Sequence, residues 1–365
     1  MKVLLIAPNP KTESGGIAQW TGHILNYYKE HSDSDLKLVH CCLEDSRTTY
    51  GSDSMLKRLL NALHNYIPIC RMMKEELNNN DVDVVHICTS ASLSFFLNMY
   101  MISFIKKYKV KVVMHYRFGR IPQLLLDNTW ESRLFKKILN KSNCNIVIDK
   151  SSYDSLLRHG YRNVVLIPNP LSPVVPEIVR KSSVSRNNRK ILFVGHVIKT
   201  KGVYELVRAC KEIDNIELEL IGYVAETIRH ELLSLAGHEC SQWIKMVGIK
   251  DYDYIIKSMM QAGVFVLPTY TEGFPNVILE SMACACPIVT TPVGAIPEML
   301  DIFGETPCGL CVEPRKVEPL KDAILYFLED SKRAESYGLL AQERVNKLYS
   351  MDVIWPKLYN IWRDV

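Results

Sequence analysis

Short apolar runs alternate with segments of helical spacing along this chain, and no other feature limits its fold as strongly. In the first half the apolar runs are Lys2–Ala7, Leu36–Cys42, Asp83–Cys88, Lys111–His115, Asn145–Ile148 and Val164–Ile167. Between them lie helical patterns such as Ile17–Tyr28, Met55–Leu77, Leu93–Lys107 and Trp130–Leu139. A second series runs through Ile191–Gly195, Ile216–Ile221, Trp243–Gly248, Gly263–Leu267, Ile288–Thr290 and Gly309–Val312, with helices expected at Gly202–Ile213, Ile228–Ala236, Tyr252–Ala262 and Pro319–Leu328. Strands that alternate with helices in this way predict parallel, doubly wound α/β sheets with ligands at the strand C-termini. The 365 residues are too many for one ordinary domain and suit two, and 47% hydrophobic content supplies two cores. The texture changes only once, where Pro168, Pro170, Pro173 and Pro176 lead into a polar run from Lys181 to Asn188. The expected division is therefore 1–170 for a first domain, 171–190 for a linker and 191–348 for a second domain. Helices over Ala334–Leu348 and Val353–Trp362 close the chain, and residues 349–365 are expected to pack back toward the first domain.

Within the second series one stretch carries the chemistry. Val264–Leu267 is an apolar run that breaks at Pro268, crosses a loop holding Glu272, Gly273, Phe274 and Pro275, and resumes as a helix through Asn276, Val277 and Glu280. That helix must stop before Pro287. A strand, a glycine loop and a helix N-terminus form an anion-binding turn in open α/β sheets. The two carboxylates repel phosphate but suit neutral hydroxyls, with Glu280 expected about two turns into the helix. Together these features read as a nucleotide-sugar site. Near the start of the chain, Lys2–Ala7, a loop over Asn9 to Gly16 and the following helix repeat the strand–glycine–helix form at Gly15 and Gly16.

Composition excludes several other classes. The net charge is +4, but residues 1–180 hold 23 basic and 16 acidic side chains, so the basic excess lies in the first half. That suits an anionic partner, whereas a nucleic-acid reader is usually more basic. The eleven cysteines are odd in number and scattered through apolar runs, which fits free thiols in a reducing cytoplasm. The opening apolar segment is interrupted at Pro8 and Pro10, too early for a secretory core, and no apolar run approaches a membrane span of roughly 18 residues.

Taken together, these residues resemble a retaining glycosyltransferase of the large family 4 (group 1) type, and the resemblance is strongest from Ile191 to Pro314. Its most specific element is the pair Glu272 and Glu280 set among Gly273, Phe274, Pro275, Asn276, Val277, Ala283 and Pro287. The resemblance implies the GT-B fold, two Rossmann-like doubly wound parallel-sheet domains facing each other across a cleft whose closure is expected to bring His115 and Gly16 onto the donor held by the second domain. It also implies that Glu280 binds the nucleotide ribose and that Glu272 positions the donor sugar. Phe193 to Val203 matches the strand–loop–helix that holds the donor diphosphate, with Gly195 and Lys201 in place. His196 stands where the family has an arginine; a neutral imidazole supplies neither permanent charge nor a bidentate fork. Arg117, Arg120 and Lys199 are candidates to compensate. His115 corresponds to the family's histidine near the donor sugar, Gly15 and Gly16 to its loop over the diphosphate, and His86 reads as structural. Further departures are Pro170 for the usual glycine, Ala285-Cys286-Pro287 without the glycine before proline, and Val293-Gly294-Ala295 without a second glycine. Cys308 and Cys311 have C-x-x-C spacing but no second pair, which argues against a metal or redox site.

The implied reaction moves a hexosyl unit from a nucleoside diphosphate sugar to an acceptor hydroxyl with retention. Lys201, with His196 and the N–H groups around Gly16, is expected to stabilise the charge on the departing phosphate. No metal or other cofactor is expected, because the resemblance implies catalysis without a bound metal. The expected partners are the nucleotide-sugar donor, a glycan or lipid-linked acceptor of cell-surface polysaccharide biosynthesis, and an anionic membrane surface met by the basic segments Met55–Leu77 and Trp130–Lys141. The expected location is cytoplasmic, on the inner face of the membrane. Competing readings are other GT-B chemistry, such as a phosphorylase or nucleotide-sugar epimerase, and a non-catalytic nucleotide-sugar-binding protein. A dinucleotide oxidoreductase is disfavoured because the first strand lacks G-x-G-x-x-G.

Overall fold

The computed structural model describes residues 1–11, 15–31, 35–42, 55–79, 81–237 and 240–365, and over 55–63, 65 and 66 it describes the backbone alone. Part of the loop expected over 9–16 and the Lys57 and Arg58 side chains lie outside the described residues. The chain divides into two compact units, Met1–Pro170 with Ile354–Val365, and Leu171–Val353.

Unit 1 is built from β1 (Lys2–Ile6), α1 (Gly16–Glu30), β2 (Lys37–Cys41), α2 (Met55–Asn78), β3 (Val84–Thr89), α3 (Ser94–Ile105), β4 (Lys111–Tyr116), α4 (Ile121–Leu126), α5 (Trp130–Lys141), β5 (Cys144–Val147), α6 (Lys150–Arg158) and β6 (Val164–Leu166). Its strands pair in parallel in the order β2-β1-β3-β4-β5-β6. β1 and β5 are buried along their whole length, as expected of strands covered by helices on both faces. One side of the core is aromatic: the Phe135 ring stacks on Phe95 at 5.7 Å and meets Tyr116 edge-on at 5.1 Å. The two short helices α4 and α6 have no counterpart in the sequence reading. Six and nine residues are too few for a clear 3.6 period, although Asp149 announces α6 by accepting the Ser152 N–H at 2.8 Å.

Unit 2 comprises α7 (Val174–Lys181), β7 (Asn187–Val194), α8 (Val203–Lys211), β8 (Glu217–Ile221), α9 (Glu226–Ala236), α10 (Cys240–Trp243), β9 (Ile244–Gly248), α11 (Tyr252–Gln261), β10 (Ala262–Leu267), α12 (Asn276–Ala283), β11 (Ile288–Thr290), α13 (Ile296–Met299), β12 (Leu310–Cys311), α14 (Val317–Leu328), α15 (Ser331–Tyr349) and the start of α16 (Met351–Asp364). From Ile354 onward α16 belongs to unit 1. The sheet order, read from β9, is β9-β8-β7-β10-β11-β12, the Rossmann order with its reversal between β7 and β10.

The linker expected over 171–190 is instead structured. Residues 174–181 form α7, which packs on α11 and α12, and β7 starts at Asn187. The prolines that suggested a break are compatible with this helix. Pro173 sits at its N-cap and Pro176 in its first turn, where the missing N–H has no partner to lose. Asp251 and Asp330 cap α11 and α15 by accepting N–H bonds from Tyr254 and Arg333.

Candidate active site

The reversal point of unit 2 brings together two loops, one leaving β7 and the other leaving β10. The adjacent strands fix their starting points, with Leu192 beside Phe265. Beyond the strands the loops are stitched directly: the Tyr270 N–H donates to the Thr200 carbonyl at 2.8 Å, and the Thr269 hydroxyl donates to the same oxygen at 3.3 Å. Gly202, with φ of 72°, closes the approach, because a Cβ there would lie 2.0 Å from the Pro268 carbonyl oxygen. The same logic holds at Gly294, where a Cβ would lie 2.4 Å from the Glu272 carbonyl oxygen, and the Ala295 N–H binds the Gly273 carbonyl at 2.9 Å. The Glu272 turn is thus clamped on both sides by backbone, which glycine alone permits.

This clamp delivers Lys201 to Glu272, and the ammonium and carboxylate form a hydrogen-bonded ion pair. Both side chains are partly exposed, at 25% and 13%. The loop is braced further by Tyr270, whose hydroxyl donates to Glu205 at 2.8 Å while the Arg315 guanidinium lies 4.7 Å from its ring centroid.

Glu280 is the fifth residue of α12, so it lies little more than one turn from the helix start rather than two. It is buried, 6% exposed, and accepts the Tyr252 hydroxyl at 2.9 Å. Burial pushes its carboxyl up to about 7, with the Tyr252 hydrogen bond pulling the other way. Phe274 and Pro275 are buried, and the Phe274 ring meets Tyr349 edge-on at 5.7 Å. Asn276 and Val277 are partly exposed at the start of α12, while Gly195 is half-buried with φ of 148°. The His196 side chain is exposed. The structure therefore brings Lys201, Glu272, Gly273 and the start of α12 into one neighbourhood. Sequence reasoning missed Tyr252, Tyr270 and the Gly294 contact. Asp251 signalled a helix start at Tyr252, but nothing in the sequence pointed its hydroxyl at Glu280.

In unit 1, Gly15 and Gly16 are exposed at the start of α1, with open space where either would carry a Cβ. The helix has no side-chain cap and no acidic residue in its first turn. His115, the expected sugar contact, lies near the end of β4. It is fully buried, and each ring nitrogen faces a neighbour: Nδ1 lies 3.2 Å from His86 Nε2, and Nε2 lies 3.2 Å from an Arg117 nitrogen. Burial holds both histidines far below their ordinary range, so both rings are neutral. The Trp362 indole donates to His86 Nδ1 at 2.9 Å, which places the His86 proton on Nε2. His86 then donates to His115 Nδ1, and the His115 proton sits on Nε2, facing another donor on Arg117. Arg117 gains no acceptor there. Its Nε is buried without a partner, and its charge rests on the Trp20 ring at 4.8 Å. Burial pushes its pKa down to about 10.

His86, Cys88 and His115 also lie close enough for three ligand atoms to meet a metal ion. A cation bound through His86 Nε2 and His115 Nδ1 would force protons onto the outer nitrogens, one facing the Trp362 N–H and the other Arg117. Cys308 is buried and Cys311 half-buried; both thiols are free, and burial pushes them up to about 11 and about 12.

Comparison with solved structures settles the architecture. A sucrose-phosphate synthase from Thermosynechococcus elongatus aligns with a TM-score of 0.73 at 19% identity, covering 99% of this chain and 98% of that one. HepE from Anabaena, solved in complex with UDP, aligns with a TM-score of 0.71 at 16% identity over the whole of both chains. The chain has the GT-B fold. Residues 174–344 of this GT-B chain match the model of the family described as glycosyl transferases group 1, so unit 2 is related to that family. Among curated proteins, the capsular polysaccharide biosynthesis glycosyltransferase CapM of Staphylococcus aureus is 32% identical over 181 residues, 48% of this chain and 46% of that protein. The putative teichuronic acid biosynthesis glycosyltransferase TuaC of Bacillus subtilis is 26% identical over 151 residues, 41% of this chain and 36% of its own length. The matched part thus spans less than half the length of either curated relative.

Proposed function

We propose that this chain is a nucleotide-sugar-dependent glycosyltransferase of polysaccharide or glycoconjugate biosynthesis, transferring a hexosyl unit to an acceptor hydroxyl with retention. The observation that carries the reading is the Lys201–Glu272 ion pair at the reversal point of unit 2, with buried Glu280 on the helix that follows. The group 1 match over 174–344 and the glycosyltransferase names of the curated relatives support it.

In this reading the Lys201 ammonium leaves Glu272 for the donor diphosphate, where it offsets the charge that develops as the glycosidic oxygen departs. Glu272, released, accepts hydroxyls of the sugar. Ionised Glu280 accepts the two hydroxyls of the ribose, a diol matched to the two oxygens of a carboxylate. Transfer is a same-face displacement: the acceptor oxygen bonds to the anomeric carbon, the bond to the diphosphate breaks, and the departing phosphate takes the acceptor proton. His196 lacks the bidentate fork and permanent charge of an arginine, so Lys201 bears more of the phosphate charge than it would beside one. The roles of Gly15, Gly16 and His115 rest on the sequence resemblance, and for His115 require its ring to leave the position described above. The proposed acceptor is lipid-linked, met by a peripheral protein on the inner face of the cell membrane. No helix among the described residues is long and apolar enough to cross a membrane.

The test is a panel of nucleoside diphosphate sugars screened for thermal stabilisation, followed by assay of nucleotide release and NMR of the product's anomeric configuration. One donor should stabilise the protein and be consumed with retention. No stabilisation by any donor, or an inverted product, would overturn the proposal.

A further inference from the structure

We infer that unit 1 carries a docking face for an anionic lipid surface, formed by the exposed rows of α3 and α5 and led by aromatic rings. It deepens the peripheral-membrane part of the reading above, and its test uses neither donor nor acceptor.

α3 is unusual because its sequence, Ser94 to Ile105, contains no charged residue and is apolar almost all round. A helix of that kind is normally enclosed. Here one side is enclosed by the core, where Phe95, Met101, Ile102 and Ile105 are buried. The other side presents Phe96 and Tyr100, 53% and 48% exposed, then Ser103 and Lys107 at helical spacing. α5 lies alongside with a matching row: Trp130, 49% exposed, followed by exposed Arg133, Lys137 and Lys141. The rows are joined where the Phe96 and Trp130 rings stack at 5.1 Å. Leu126, 77% exposed at the end of α4, lies four residues before Trp130. From α2, the Lys74 ammonium sits 5.7 Å from the Tyr100 ring centroid and 4.9 Å from that of Phe104.

The charge pattern selects the occupant. Residues 94–141 hold ten basic side chains, of which Arg117 is taken up in the buried histidine row and Arg120 pairs with Glu131, and only two acidic ones, Asp127 and Glu131. Half-exposed aromatic rings among lysines and arginines match a bilayer interface, where rings sit at headgroup level and long cationic side chains reach lipid phosphates. Single-stranded nucleic acid also uses aromatics with cations, but it needs free ring faces for its bases. Phe96 and Trp130 spend a face on each other, and Tyr100 has Lys74 over its ring.

The experiment is co-sedimentation of the full chain with vesicles of phosphatidylcholine alone or mixed with phosphatidylglycerol, at low and high salt. Binding should require the anionic lipid and weaken as salt rises. Arg133→Gln and Lys137→Gln should each weaken it about five-fold at low salt. The pair Phe96→Ser with Trp130→Ser should weaken it at least ten-fold with the salt dependence retained, while Phe303→Ala, an exposed phenylalanine of unit 2, should change nothing. Thermal melts of each variant would confirm that these exposed positions leave the fold intact. Absence of binding at low salt, equal binding to neutral vesicles, unchanged binding by the α3 and α5 variants, or preferential capture by a single-stranded oligonucleotide would each overturn the inference. Vesicle binding without any sugar transfer would leave it standing while removing the proposed function.

Discussion

The two units have related sheets but hold their candidate site residues in opposite ways. In unit 2 the residues at the reversal point are fixed by backbone against backbone: Gly202 against Pro268, Gly294 against Glu272, and Tyr270 bonded to Thr200. The charged side chains then sit partly exposed on a rigid frame, with Lys201 and Glu272 compensating each other. In unit 1 the equivalent polar residues are held by side chains, in a buried row from Trp362 through His86 and His115 to Arg117. That row has more donors than acceptors, so one contact is always unfavourable. A backbone frame leaves side chains free to exchange partners with a ligand, whereas a side-chain row must reorganise before it can contact one.

The comparison is tested most severely at Gly202. Gly202→Ala adds a Cβ 2.0 Å from a carbonyl oxygen at a positive φ, and should destabilise the protein by more than about 3 kcal/mol in denaturant unfolding. Gly248→Ala, at φ of 73° but with open space around the new Cβ, should cost only about 1 kcal/mol. Equal costs would break the claim that backbone packing holds the frame.

Lys201→Ala should leave the melting temperature within a few degrees of the parent and lower the transfer rate on the order of 100-fold to 1,000-fold. A rate within a factor of three of the parent would remove Lys201 from the chemistry.

The next largest effect concerns pH. Glu280 has its folded value raised to about 7 from an ordinary 4.5, so the stability linked to it is present below 4.5 and is lost as pH rises toward 7. Donor binding runs the other way, because the ribose needs the ionised carboxylate. Affinity should rise as pH climbs through about 7 and fall by up to about ten-fold per unit below it. Glu280→Gln should flatten this profile in a calorimetric titration, and Tyr252→Phe should move its midpoint upward by removing the bond that favours ionisation.

In unit 1, Trp362→Phe removes the indole donor from buried His86 Nδ1 and should cost about 1–3 kcal/mol. The removal also lets the proton move along the row, so that His115 Nε2 can accept from Arg117. NMR of the ring nitrogens should then show a changed tautomer at both histidines. Unchanged tautomers would mean that Trp362 does not set the polarity of the row.

The smallest effect is a gain. Ala285 adopts φ of 50°, so Ala285→Gly should stabilise unit 2 by about 1 kcal/mol.

How much of this was legible in sequence varied with the physics involved. The strands were readable because a parallel strand covered on both faces must be a continuous apolar run, as β10 is from Ala262 to Leu267. The Glu272–Glu280 turn was readable because a strand ending in proline and a glycine loop leave few other conformations. α7 was misread because its prolines occupy helix positions that need no N–H, which composition does not reveal. His115 was located correctly at the end of β4, but its burial depends on Trp20, His86 and Arg117, contributed by other segments.

By itself the sequence determined the strand–helix alternation, the boundary near Pro170 and the candidate carboxylates, since these follow from local spacing and backbone chemistry. Only the tertiary structure decided which residues meet: Lys201 with Glu272, Tyr252 with Glu280, Trp362 with His86, and Phe96 with Trp130. Each pair joins residues at least 28 positions apart, and such contacts are set by sheet order and helix packing rather than by neighbours along the chain.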